Sequence, residues 1–204
     1  MIAPGETGGT RSRLLAAAFE EFFRRGFQAG SVDAIVERAG VTKGALYHHF
    51  PDKAALGYAV LDEVVRAPLL AAYLDPLEEI EGDPLTALQE VLRRRADDFV
   101  AGGIELGCPL NNLAQEMSPL DEEFRVRVAA TLDAWTRAFA RVLDRAKEYG
   151  SVRAEVDAPR VAALIVAAVE GSFGMAKAHA SVDVLRANLE TVADLLEGLR
   201  PPAG

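Results

Sequence analysis

Thr42, Lys43, Gly44, Ala45, Tyr47, His48 and His49 crowd an ammonium, two hydroxyls, two imidazoles and two minimal side chains into one short stretch. That mixture suits a surface meeting a polyanion that carries stacked bases. A lysine donates to guanine or to phosphate, and tyrosine and histidine donate to phosphate oxygens. An alanine methyl can touch a thymine methyl, while glycine lets the backbone come close. Leu46 and Phe50, four residues apart, fall together on the opposite side. The run therefore reads as a short helix with its donors on one face. About seven residues make a rod of about 10 Å, which fits a major groove about 12 Å wide. The Ser31 hydroxyl, at the start of a preceding helix, and Lys53 add candidate phosphate contacts.

Three helices must hold this face in place. The first is expected over Arg11 to Arg25, with Leu15, Phe19 and Phe22 on one side and Gly26 as its stop. The second is expected over Val32 to Ala39, capped by Ser31 and ended by Gly40, which can adopt the left-handed conformation. The third is Lys43 to His49, capped by Thr42 and stopped before Pro51, with Val41 tucked inward to fix its angle. The organisation expected is a tail over 1–9, a helix-turn-helix module over 10–52, a helical body over 53–200 and a tail over 201–204.

The run from Glu37 to Lys53 closely resembles the DNA-binding motif of the tetracycline-repressor family. Gly40, Val41, Thr42, Lys43, Gly44, Leu46, Tyr47, His49, Phe50 and Lys53 match its pattern. So do an aromatic-rich first helix ending in Gly26-Phe27 and the segment from Ser31 to Ile35. The likeness covers residues 11 to 56. The stretch from Gly107 to Ala114 is similar to one branch of these regulators. The resemblance implies a homodimer that represses from a palindromic operator in double-stranded DNA and leaves it when a small-molecule effector occupies the body.

Charge is consistent with that implication only in its distribution. The chain has a net charge of −9, yet residues 1–53 hold 7 Lys/Arg against 6 Asp/Glu, a balance of +1, so the acidity lies almost wholly in the remainder. Half the residues are hydrophobic and about a quarter charged, as in an ordinary folded chain.

Apolar spacings of three and four recur nearly throughout, and no segment alternates with period two, so the fold class expected is all-α with about nine helices. A fourth helix should run from Lys53, capped by Asp52, to about Tyr73, with Pro68 as a break or kink. A fifth follows the Gly82-Asp83-Pro84 turn through Leu85, Leu88, Val91, Leu92 and Phe99 to Gly102-Gly103, and a short sixth spans Leu110 to Met117. The seventh runs from Pro119 to Tyr149, with Val128, Leu132, Trp135, Phe139 and Val142 as its inward stripe. The last two, Ala158 to about Ala180 and Val182 to Leu199, are expected to form a four-helix interface with a second copy. Val161, Leu164, Leu185, Leu189, Val192, Leu196 and Leu199 are its candidate residues.

Aromatic and thioether side chains with few polar groups suit an apolar or amphipathic ligand. The candidate lining is Phe99, Cys108, Asn111, Asn112, Met117, Trp135, Phe139, Glu170, Phe173 and Met175. Asn112 and Glu170 stand out because polar groups among apolar neighbours need partners.

Other chemistry is poorly supported. His48 and His49 are adjacent, so on a helix they point about 100° apart and cannot share a metal. Cys108 lacks an orienting histidine pattern and reads as a buried thiol. Gly171-Ser172-Phe173-Gly174 has Glu170, not glycine, two positions before its serine, and no preceding strand, so it reads as small residues in close packing. No enzyme, cofactor or metal is expected. A single cysteine, a glycine-rich start without an apolar leader and a longest apolar run of only Val161 to Val169 suggest a cytoplasmic chain without a membrane span.

Overall fold

The structure, a computed structural model, describes residues 9–97 and 103–202. Among the described residues every regular element is helical. Contacts divide the chain into two compact units, one comprising residues up to Pro68 with Pro109–Ala129, the other Leu69–Cys108 with the chain from Ala130 onward.

In the first unit α1 (Thr10–Arg25), α2 (Val32–Ala39) and α3 (Lys43–His49) form the N-terminal module. Three polar side chains start its helices and the next one. Ser31 accepts the Ala34 N–H at 3.3 Å, Thr42 the Ala45 N–H at 3.2 Å, and Asp52 the Ala55 N–H at 2.7 Å, opening α4 (Lys53–Ala59). Gly40 ends α2 in the left-handed region (φ 63°), as the sequence requires. Leu14, Ile35, Leu46, Leu56 and Leu61 are fully buried, and Phe27 packs between Phe22 and Phe124 at centroid distances of 5.0 and 4.8 Å. Gly57 permits that stack: a Cβ there would lie 2.5 Å from the Phe27 ring.

The run that begins as α4 continues without a gap through π-helical Val60–Arg66 into α5 (Ala67–Leu74). Pro68 therefore neither breaks nor ends the expected fourth helix. Pro68 sits at the second position of α5, directly after the π-helical stretch, where the helical register changes. The unit is completed by α7 (Pro109–Met117) and the first turns of α8 (Glu122–Tyr149). α8 starts after Pro119 because Asp121 is its cap, accepting the Phe124 N–H at 3.0 Å.

In the second unit α10 (Val182–Glu197) packs along α6 (Pro84–Asp97) and α9 (Ala158–His179). The expected extension of the fifth helix through Phe99 to Gly102 lies outside the described residues. Leu85, Leu88 and Leu92 of α6 are fully buried, and Gln89 donates to the Ala193 carbonyl at 2.8 Å. On α8, Trp135, Phe139 and Val142 are buried as the stripe predicts. α9 is longer and more apolar than the Val161 to Val169 run suggests, and by length and composition it could cross a membrane. Its pattern is that of a core helix with one uncovered side: Ala162, Ile165, Val166, Val169, Phe173 and Ala176 are buried, while Leu164 and Met175 are 70% and 52% exposed.

Candidate nucleic-acid interface

α3 is amphipathic in the sense its sequence demands. Leu46 and Phe50 are 0% and 3% exposed, whereas Thr42, Lys43, Gly44, Tyr47, His48 and His49 are exposed and Ala45 is half-buried. All the donors proposed for DNA on this helix thus share the outward side. The His48 and His49 rings stand 5.4 Å apart at 67°. Among the described residues no group of three metal-ligating side chains is assembled.

Electrostatics adds detail that the spacing did not show. Lys43 Nζ lies 2.5 Å from Asp33 Oδ1, and this hydrogen bond, reinforced by the charge, raises the lysine pKa. Both groups are largely exposed. The pair keeps Lys43 charged but must exchange when a phosphate or guanine takes the ammonium.

Lys53 has partners within the module. Its Nζ donates to the Gln28 carbonyl at 3.0 Å and sits 5.0 Å above the Phe27 ring, and partial burial lowers its pKa. Four methylenes run along an aromatic face to a loop carbonyl, so the ammonium, in an exposed hydrogen bond, braces the module.

Sequence reasoning also missed Glu21. It is 1% exposed, accepts the Ser31 N–H at 3.0 Å and pairs with Arg25 and more distantly with Arg38. The signal was an acid set among Ala17, Ala18 and Phe22 on the apolar face of α1.

The ligand candidates divide between the units. In the second, Tyr73, Trp135 and Phe139 form an aromatic cluster, with centroids 4.3 Å apart for the first pair and 5.9 Å for the second. Arg95 lies 5.0 Å over the Tyr73 ring. Trp135 is fully buried, and its indole N–H has no hydrogen-bond partner among the described residues. Cys108 is buried and donates to Glu170 Oε1 at 3.3 Å. Burial pushes the Glu170 carboxyl up to about 7, the thiol partly opposing the rise. Phe173 is buried, but Met175 is a correction: it lies on the uncovered side of α9, its sulfur 3.7 Å from the Asn188 amide. Asn111, Asn112 and Met117 belong to the first unit, where Asn112 lines a small aromatic cleft with Phe19, Phe22, Phe23 and Phe27. Phe99 lies outside the described residues.

Glu170 sets a pH dependence. The folded chain holds this proton more tightly than the unfolded chain, whose ordinary value is 4.5, so the stabilisation is full below pH 4.5 and lost as pH rises through 7. The loss is at most about 3 kcal/mol. Urea unfolding of Glu170→Gln against the wild type at pH 5 and pH 8 should show the wild type losing more stability, by up to that amount. Equal losses would contradict the assignment.

The expected dimer residues also need correcting. Leu185, Leu189 and Leu196 are at most 5% exposed within one subunit, because that stripe of α10 is taken up by its own core. Val161, Val192 and Leu199 are half-buried. Leu164 is exposed, and so are Ala167, Gly171 and Gly174 of α9 and Leu195 of α10.

The description of bacterial regulatory proteins of the tetR family matches residues 14–60, and that of the C-terminal domain of LmrA/YxaF-like transcriptional regulators matches residues 84–191. The chain belongs to the tetracycline-repressor family. Within that family it is 30% identical to the transcriptional regulator AcuR of Cereibacter sphaeroides, over 87% of this chain and 81% of that one. It is 28% identical to the HTH-type transcriptional repressor DhaR of a Mycobacterium species, over 80% of each. The crystal structure of a regulatory protein TetR from Rhodobacter sphaeroides superposes with a TM-score of 0.81 at 27% identity, over 91% of this chain and 97% of that one. The all-α architecture, with an N-terminal helix-turn-helix and a helical body, is that of the family, and the chain is a DNA-binding transcriptional regulator.

Proposed function

We propose that this tetracycline-repressor relative acts in the cytoplasm as a homodimer that represses from a palindromic operator and is released by a small apolar or amphipathic ligand. The observation that carries the DNA half is the division of α3, with Leu46 and Phe50 buried and Lys43, Gly44, Tyr47, His48 and His49 outward. Lys43 and Ala45 read base edges; Tyr47, His49 and Ser31 hold phosphates. Two such helices must sit about 34–36 Å apart to meet successive major grooves. The uncovered apolar side of α9, with Leu164, Ala167, Gly171, Gly174 and Met175, joined by Leu195 of α10, is the surface that would hold two copies in that register.

The ligand half rests on the buried cluster of Tyr73, Trp135, Phe139, Cys108 and Glu170. A buried indole N–H without an acceptor favours a ligand that supplies one. Binding shifts the helix that begins at Lys53, and with it the spacing of the two reading helices, at a coupling of about 1–3 kcal/mol.

Trp135 is the single tryptophan, so its fluorescence reports the site directly. Titration with a panel of small aromatic and short-chain amphipathic compounds should find one that changes the emission and, over the same concentration range, releases DNA. A compound that saturates the Trp135 signal without altering DNA affinity would count against release by this site.

A further inference from the structure

Glu116, near the end of α7, spends both carboxylate oxygens on the N-terminal module. It accepts the N–H of Phe27 and the N–H of Gln28, each at 2.8 Å, across 89 and 88 residues of sequence. These amides lie in the turn between α1 and α2. Two charge-assisted bonds from one planar group fix orientation as well as distance. The turn is shaped to receive that group. Gly26 adopts φ +83°, and a Cβ there would lie 3.0 Å from both Glu116 oxygens, so a side chain is disfavoured by conformation and by space. Lys53 closes the other side through the Gln28 carbonyl and the Phe27 ring, and the Glu116 charge works against the lowering of its pKa.

The start of α8 makes other ties within the same unit. Tyr58 donates to Asp121 at 2.8 Å, and Asp62 pairs with Arg127. Those reach the helical run after the module, whereas Glu116 reaches the module itself. Its helix also has a telling origin in the chain. α7 starts at Pro109, the residue after Cys108, whose thiol meets Glu170. Along the chain, only residues 109–115 separate Cys108 from Glu116.

We infer that Glu116 is the positioning residue through which α7 sets the pose of the α1–α3 module, and hence the half-site spacing the protein accepts. This rests on the dimeric-operator reading and deepens it. A residue that merely adds stability would weaken binding to every operator alike. A positioning residue governs the discrimination between spacings.

The test uses full-length wild type, E116A and E116Q with a binding fragment selected from the protein's own genome. The fragment is compared with copies carrying one base pair more or fewer between half-sites, and amide exchange of residues 26–30 is followed in parallel. The wild type should bind the altered fragments at least about tenfold more weakly. In E116A that penalty should shrink to about twofold, with exchange at residues 27 and 28 rising at least about tenfold while that of α2 is retained. E116Q keeps one acceptor oxygen and should fall between, and it carries the comparison if E116A does not fold. A variant that loses exchange protection yet keeps the wild-type spacing penalty overturns the inference alone, as does unchanged exchange. A wild type indifferent to spacing overturns the dimeric-operator reading and the inference with it.

Discussion

Leu164→Asp is expected to leave the subunit folded, convert a dimer into a monomer and weaken operator binding at least about a hundredfold. Leu164 is 70% exposed, so the change removes no packing within one subunit. Around it Ala167, Gly171 and Gly174 leave room for a second helix, and an added Cβ at Gly171 or Gly174 would meet nothing within 4 Å in one subunit. A facing copy would bring two aspartates together in an apolar seam, where an unpaired charge costs several kcal/mol. Binding would then rest on one reading helix and half the phosphate contacts. Light scattering after size exclusion reads the mass, and gel shift reads the affinity. A Leu164→Asp protein that stays dimeric would place the interface elsewhere, and a monomeric wild type that binds tightly would remove the need for one.

Leu46→Ala should cost about 2–5 kcal/mol of folding free energy in the first unit, because it removes a fully buried side chain that pins α3 and leaves a cavity. Its neighbour offers the contrast. Tyr47 is 49% exposed, and Tyr47→Ala should change stability by no more than about 0.5 kcal/mol while weakening DNA binding. Denaturant unfolding of the two variants separates the buried side of the helix from the outward one. Equal stability losses would contradict the orientation of α3.

That orientation was legible in the sequence because it rests on local signals. Ser31, Thr42 and Asp52 cap the helices they precede, Gly40 ends α2, and Leu46 and Phe50 are spaced to share a side. Each is decided within about one helical turn, where propensity and capping dominate. The nine helical segments, counting Lys53 to Leu74 as one run, follow for the same reason among the described residues.

What was not legible depends on which neighbour fills a stripe. Leu185, Leu189 and Leu196 repeat at steps of four and seven, as in an intersubunit seam, but periodicity does not distinguish a partner helix from α6 of the same subunit. The all-round apolarity of α9 was the better signal, since a helix with one side in its own core and an apolar side left over needs further cover. Lys53 and Glu116 illustrate the second limit. A cation after a helix-turn-helix looks outward until Phe27 and the Gln28 carbonyl offer it a place, and an acid at a helix end looks solvated until two loop amides meet it. Neither partner is within reach of local sequence.

The central claim is that the outward side of α3 reads an operator. Its most direct test is a gel shift with fragments selected from the protein's own genome, using wild type and a Lys43→Ala, Tyr47→Ala double variant at fixed salt. A retained palindromic fragment is expected, with a footprint of two half-sites one helical turn or a multiple of it apart, and loss of both in the double variant while its oligomeric state is unchanged. Retention of the same fragment with the same affinity by the double variant, or no sequence-specific retention by the wild type, would contradict that claim.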